Sequence, residues 1–421
     1  MVKIRNEISV EEAIQVVMDH QQLGSLEKIS ITECDGRRLG TSIIATNHIP
    51  SFDKSPYDGF AFRATDTYNA TKHNPVEFEV IDHIGAGDIP NKQLKKNEAI
   101  RIMTGAEIPD GANCVAMFEV CHTYIRNDRE YVQITRPLKN GENIIKEGSE
   151  VKKGEVLVKK GTVINPGVQA LLATFGYQQV KVTKKPVVGL FATGTELLEV
   201  HEPLERGKIR NSNAYMIAAQ INRAGGECIY YGQLPDNVEL SYNKIKKILR
   251  DVDLFVTTGG VSVGDFDFMP VIYERLHAHV LFNKVAMRPG SVTTVAMKDG
   301  KLLFGLSGNP SACYVGFELF VRPIIHSFLH SPTPYLTRIK AIMREDFIKN
   351  NPVTRFVRSY LTYEKEKVFV VPAGMDKSNV VSSLAHTDCF MILPAGTSNL
   401  LAGETVDVLL LENKEGQLSF D

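Results

Sequence analysis

Four glycine-rich segments of the 421-residue chain carry the residue types that bind and transform an anionic substrate. They are Thr193-Gly194-Thr195-Glu196, the run from Gly259 and Gly260 through Ser262 and Asp265 to Asp267, Arg288-Pro289-Gly290-Ser291, and Ser307-Gly308-Asn309-Pro310. Glycine has no Cβ, so backbone amides can approach a ligand closely. Glu196, Asp265 and Asp267 supply carboxylates, and Lys284 and Arg288 supply fixed positive charge. The last segment opens a helix, whose free amides and dipole favour an anion. Acids and bases around such cradles predict a phosphate-bearing substrate bridged by a divalent cation such as Mg²⁺. One such loop alone would read as a turn; four at one sheet edge read as a site.

A second acidic group lies between Pro50 and Ala61, where Asp53 and Asp58-Gly59 sit among turn residues. A tight turn is an equally good reading of Asp58-Gly59. Thr104-Gly105 closes a β-rich piece and offers a backbone anion contact. Glu142 and Glu150 read as solvated surface. Gly260-Val261-Ser262-Val263-Gly264 fits the G-x-S-x-G nucleophile elbow, with His326 as a downstream base. An elbow needs a helix directly after the serine, and residues 265–270 delay it, so that reading is disfavoured. Walker A and G-x-G-x-x-G motifs are absent, which argues against common ATP and dinucleotide sites. His277 and His279 lack the companions of a zinc site.

The elements that must position these residues follow from periodicity. Ser9-x-x-Glu12 is a capping box, and Val10, Ile14, Val17 and Met18 predict a helix over 9–20. Residues 28–140 alternate short β-rich pieces (76–84, 99–103, 115–120, 131–134) with Gly, Pro, Asn and Asp. Glycines punctuate 141–183, with a short helix near 168–175. From 187 the pattern becomes strand (187–192), helix (211–223), strand (228–231), helix (238–250), strand (254–256), which is the signature of a parallel sheet with crossover helices. A hairpin over 292–306 turns at Asp299-Gly300. Asn309 as N-cap and Pro310 at the first turn then open a long apolar helix to about 329. Five β-rich pieces over 337–410 predict a small sandwich or barrel. In an open α/β sheet, ligands lie outside the carboxyl ends of the strands, where the four segments fall.

Composition narrows the class. The 48 Lys and Arg balance 49 Asp and Glu, so no global field draws nucleic acid. At roughly 150 residues per domain, the length predicts about three domains. The first residues are interrupted by charge, unlike a signal peptide, and no stretch reaches the ~18 apolar residues of a membrane span. Six scattered cysteines without a C-x-x-C pair read as reduced thiols of a cytosolic protein.

The segments PSFDKSPYDGFA (50–61), RIMTGA (101–106), FATGTEL (191–197), TTGGVSVGDFD (257–267), KVAMRPG (284–290) and GLSGNPSA (305–312) occur in order. Together they resemble the molybdopterin molybdenumtransferases, the MoeA family, whose eukaryotic relatives include the gephyrin E domain. The resemblance implies molybdenum cofactor biosynthesis: molybdenum from molybdate enters adenylylated molybdopterin, AMP leaves, and Mg²⁺ is required. It implies a multidomain α/β plus β chain: an elongated linking domain (1–27 and 141–183), an inserted β-rich domain (28–140), a central α/β molybdopterin-binding domain (184–330) and a C-terminal β-barrel-like domain (335–413). It also implies a cytoplasmic homodimer supplied by a molybdopterin adenylyltransferase, with no membrane or nucleic-acid partner.

By residue, the resemblance assigns catalysis to Asp58, Glu196, Asp236, Asp267, Lys284 and Arg288, and Mg²⁺ to Asp58, Glu150, Glu196 and Asp267. It assigns substrate contacts to Thr104, Thr193, Gly194, Gly259, Gly260, Ser262, Pro289, Gly290, Ser307, Gly308 and Asn309. Glu150 stands where the family has Asp, Arg288 where it has Lys, and Ser307 where many members have Pro. A guanidinium keeps the charge of a lysine but changes its geometry. The chemistry asks for charge stabilisation and alignment, with no protein nucleophile. Two other readings compete: a scaffold that binds the pterin without turnover, and the Ser262 hydrolase.

Overall fold

The computed structural model describes residues 7–260, 268–411 and 417–420. The segment with Ser262, Asp265 and Asp267 therefore lies outside the described residues. The chain forms two compact units, residues 42–159 with 170–177, and residues 7–41, 160–169 and 178–420.

The smaller unit is built on a six-stranded sheet in the order Cys114–Met117, Gly59–Phe62, Glu98–Ile102, Val76–Ile84, Arg129–Ile134, Cys121–Arg126. Phe60, Phe62 and Phe78 fill its core. The turn reading of Asp58-Gly59 is corrected here, because Gly59 begins an interior strand. Sequence reasoning missed this strand because its four residues follow a run of turn formers. Glycine is needed at 59: a Cβ there would lie 1.9 Å from the Ala116 carbonyl oxygen of the paired strand.

In the larger unit, a six-stranded sheet has the order Glu227–Gln233, Val187–Ala192, Leu254–Thr258, Lys301–Leu306, Thr294–Lys298, His279–Phe282. The first four strands are mutually parallel, and the last two continue antiparallel. Val187–Ala192 and Leu254–Thr258 are continuous apolar or Thr runs because both faces are covered. Alternate residues go to opposite cores: Leu190, Val256 and Phe304 to one, Phe191, Phe255 and Leu303 to the other. Helices Asn213–Arg223 and Val238–Ile248 make the crossovers. Asn237 caps the second, accepting from the Leu240 amide at 2.9 Å. The hairpin turns at Asp299 and Gly300, both with positive φ, as expected for a two-residue turn.

The long helix after Pro310 is realised as Pro310–Gly316, a π-helical stretch Phe317–Val321, and Arg322–Phe328. Asn309 takes the cap position, but its side chain makes no capping bond. Beyond it, strands Thr354–Glu364, Lys367–Pro372, Arg338–Met343, Thr405–Leu410 and Cys389–Leu393 pair in a ring that closes on the first, giving a small barrel. Met287–Arg288 joins this barrel as a short parallel strand, with Met287 opposite Thr354 and Arg288 opposite Arg355.

Candidate active site

The four parallel strands end together, and their exits build one cleft of about 520 Å³. Thr193, Gly194 and Glu196 come from the first exit, Asp236 from the second, Gly259 and Gly260 from the third, and Ser307, Gly308 and Asn309 from the fourth. The sequence thus brings together the acids Glu196 and Asp236, both exposed, at one mouth. The Glu196 carboxylate folds over Gly194, where a Cβ would meet both of its oxygens at 2.6 Å. Ile209, Leu234, Phe268 and Val292 add apolar lining suited to a flat ring.

The paired glycines have a reason inside the protein. Gly259 and Gly260 have φ of 85° and 68°. A Cβ on either would come within 2.8 Å of the Thr193 hydroxyl oxygen. Thr193 itself is buried, with amide and hydroxyl both donating to the Thr258 carbonyl at 2.9 and 3.1 Å. The glycines therefore let two strand exits close on each other, which sets the floor of the cleft.

The loop Ser307–Pro310 departs from the expected anion cradle. Pro310 has no amide hydrogen, the Asn309 amide donates to Ser307 Oγ at 3.2 Å, and the Ser311 amide donates to the Ser378 carbonyl at 3.0 Å. The helix start is largely satisfied within the protein, so side chains must supply most of the anion contacts. Asn213 anchors the loop through Nδ2, which donates to the Gly308 carbonyl at 2.8 Å. Gly308 has ordinary φ and open space, since a Cβ would meet only the Gly259 Cα at 3.6 Å. Gly308→Asp should thus fold normally yet place a negative charge in the cleft. We expect AMP affinity to fall by about tenfold or more with a native circular-dichroism spectrum; calorimetric titration with AMP checks it, and unchanged affinity removes the phosphate from this loop.

A second cavity of about 260 Å³ adjoins the first and shares Val292, Ser307 and Asn309 with it. Pro289 and Gly290 line it, as do Arg288, Ser291, Arg355, Asp376 and Ser378. The pairing of Met287–Arg288 with the barrel puts Arg288 in register with Arg355, and both residues line this cavity. Arg355 is tied to Asp376 at 2.7 Å, which also holds Lys349 at 2.9 Å. Arg288 is exposed and has no side-chain partner among the described residues. Sequence reasoning missed Arg355, Asp376 and Ser378, because a pairing across 67 positions (355 − 288 = 67) leaves no local signal.

Other expected residues fall elsewhere. Lys284 lines neither cavity and approaches Glu7 at 3.7 Å. Asp58, Thr104 and Glu150 belong to the smaller unit. Thr104 is bonded to Asp58: its amide and hydroxyl donate to Asp58 Oδ1 at 2.7 and 2.8 Å. These bonds, the backbone one first, hold the Asp58 carboxyl below its usual range. A depressed carboxyl favours the fold above the unfolded pKa, and that contribution is lost as pH falls through the lower folded value. Thr104→Val should move the Asp58 pKa part of the way back toward about 3.9, because the backbone donor remains. A carboxyl-carbon NMR titration reads this, and an unmoved titration rejects the hydroxyl's role. Glu150 is exposed on a loop. His326, the base of the hydrolase reading, is 4% exposed. Burial, then Arg322 and Arg38, hold its pKa well below the usual range, which suits a neutral core residue. Among the described residues, no group of three or more His, Cys, Asp or Glu could hold a metal by itself.

Residues 8–176 match the MoeA N-terminal region (domain I and II), 189–327 the probable molybdopterin binding domain, and 340–411 the MoeA C-terminal region (domain IV). The chain belongs to the MoeA family. It is 52% identical over 416 residues to the molybdopterin molybdenumtransferase of Bacillus subtilis (strain 168), covering 99% of this chain and 97% of that protein. A molybdopterin molybdenumtransferase of Staphylococcus epidermidis is 50% identical over 413 residues, covering 98% and 97%. Two solved structures of the molybdopterin biosynthesis MoeA protein from Pyrococcus horikoshii superpose with TM-scores of 0.85 and 0.80. They are 29% and 30% identical, covering 97% and 96% of this chain and 100% of each of those chains. In this MoeA chain Ser307 stands on the wall that the two cavities share, and Arg288 lines the smaller one alone.

Proposed function

We infer that the protein is a molybdopterin molybdenumtransferase acting in molybdenum cofactor biosynthesis. The observation that carries the reading is the pair of adjoining cavities with a common wall. The larger fits a pterin nucleotide: apolar side chains for the rings, a glycine floor, and Glu196 and Asp236 at the mouth. The smaller fits an oxyanion, with Arg288 and Arg355 as paired donors and the hydroxyls of Ser291, Ser307 and Ser378 around them. Molybdate is a dianion with four acceptor oxygens, which guanidinium and hydroxyl groups satisfy. Ser307, Asn309 and Val292 belong to both walls, so the dithiolene of a bound pterin would meet the oxyanion there.

Two exposed carboxylates suit Mg²⁺, which keeps waters and takes substrate phosphate oxygens rather than a full protein cage. We assign it to Glu196, with Asp236 beside it, and to Asp267, Asp58 and Glu150 as the family resemblance implies. Bound there, the ion would neutralise charge on the diphosphate as AMP departs. The protein's own residues orient the two substrates and exclude water from their junction.

The remaining proposals are a homodimer whose partner chain supplies Asp58 and Glu150, and delivery of substrate by a molybdopterin adenylyltransferase. The four-part division at 1–27 with 141–183, 28–140, 184–330 and 335–413 is the proposed domain organisation. A cytoplasmic location fits six unpaired cysteines and the absence, among the described residues, of a helix long and apolar enough to cross a membrane. The deciding experiment supplies adenylylated molybdopterin, molybdate and Mg²⁺ and measures AMP release with molybdenum incorporation. Binding without AMP release would leave only the scaffold reading, and ester hydrolysis lost in Ser262→Ala would favour the hydrolase.

A further inference from the structure

We propose that Ser311 is a positioning residue that locks the barrel loop carrying Asp376 and Ser378 onto the start of the long helix, and so fixes the oxyanion cavity against the nucleotide cleft. This inference rests on the reading of the smaller cavity as the molybdate site.

Ser311 is fully buried. Its amide donates to the Ser378 carbonyl at 3.0 Å, and its hydroxyl donates to the Val380 carbonyl at 2.6 Å. Two bonds from one residue hold two positions of the loop, Ser378 and Val380. Ser307 and Asn309, shortly before Ser311, line both cavities, and the loop that it grips lines only the smaller one. The same loop is held from below by the barrel: Asp376 accepts from Arg355 and Lys349, and Arg358 donates to the Met375 carbonyl at 3.0 Å. Ser311 is thus the link on the α/β side of a clamp whose other side is the Asp376 ion cluster. Ser311 reaches no ligand itself, since it lines neither cavity. Its hydroxyl acts through Val380 and its amide through Ser378, and together they set the separation of the loop from Ser307 and Asn309.

Loss of the hydroxyl leaves the Val380 carbonyl unsatisfied and the loop tied to Ser311 by the amide bond to Ser378 alone, so the loop can shift. Misplacement by about an ångström weakens the contacts that depend on both walls. It leaves the nucleotide cleft, which the loop does not line, intact. Ser311→Ala should therefore raise the KM for molybdate about tenfold, leave AMP affinity within about twofold, and change kcat at saturating molybdate little. Alanine is favourable inside a helix, so the variant should fold. Ser311→Thr keeps the donor and should recover most of the molybdate affinity. Where the added methyl group unfolds the threonine variant, Ser311→Cys, which keeps the size but only a weak donor, should fall between wild type and Ser311→Ala.

Arg288→Ala is the control for the underlying reading. If it raises the molybdate KM and Ser311→Ala does not, the clamp is rejected while the cavity assignment stands. Equal losses of molybdate and AMP affinity in Ser311→Ala would also reject it, since that is the mark of general loosening. If Arg288→Ala leaves the molybdate KM unchanged, the cavity assignment fails and the clamp with it.

Discussion

Arg288→Ala should raise the molybdate concentration for half-maximal AMP release by about 10- to 100-fold, with thermal stability unchanged. A hydrogen bond between charged groups contributes about 1.5–3 kcal/mol, and a fork of two donors sits at the upper end. Arg288 is exposed and unpartnered among the described residues, so its removal leaves no orphaned group behind. Arg355 makes the informative contrast. It faces the same cavity, but it is 8% exposed and tied to Asp376 and Asn351. Arg355→Met should raise the molybdate KM similarly and also destabilise the fold by about 3 kcal/mol, as breaking a buried pair does. Lys349 remains on Asp376 and limits that loss. Arg288→Lys should fall between, because charge survives but the planar fork does not. Calorimetric titration with molybdate and a thermal melt separate the two effects. Wild-type molybdate dependence in Arg288→Ala would move the oxyanion out of this cavity.

The sequence made the nucleotide cleft readable because its parts are local. Each wall is a strand exit marked by glycine or proline, and the parallel strands announce themselves by length and apolar runs. Thr193, Gly194, Glu196, Gly259, Gly260, Ser307, Gly308 and Asn309 therefore meet where strand polarity says they must. The oxyanion cavity was only half readable. Its Arg288-Pro289-Gly290 side is a motif, but its Arg355, Asp376 and Ser378 side depends on Met287–Arg288 joining the barrel. No residue near 355 records that pairing. The helix at Pro310 misled in another way. Its start looks like an anion site, yet Ser311 and Asn309 spend their amides inside the protein. Gly59 misled because a glycine after aspartate reads as a turn, whereas here it serves close contact between strands.

Mixing Asp58→Asn with Glu196→Gln protein should restore activity that neither variant has alone. Asp58 is held ionised by two bonds to one of its oxygens, and the other has no partner among the described residues. That is a carboxylate prepared for a contact its own surroundings do not supply. Glu196 lies at the mouth of the nucleotide cleft in the other compact unit. In the proposed homodimer, each active site would take Asp58 from one chain and Glu196 from its partner. Two-fold symmetry then makes two equivalent composite sites. In a heterodimer of the two variants, one site carries both lesions and the other carries neither. Random exchange makes about half of the dimers heterodimers, each with about half its sites intact, so the mixture should reach about a quarter of wild-type AMP release. Each variant alone should stay near background, because Mg²⁺ and the diphosphate lose a carboxylate at every site. Native mass spectrometry establishes that exchange has occurred. Heterodimers present without recovered activity would place Asp58 and Glu196 in the same chain's site, and the composite arrangement would be wrong.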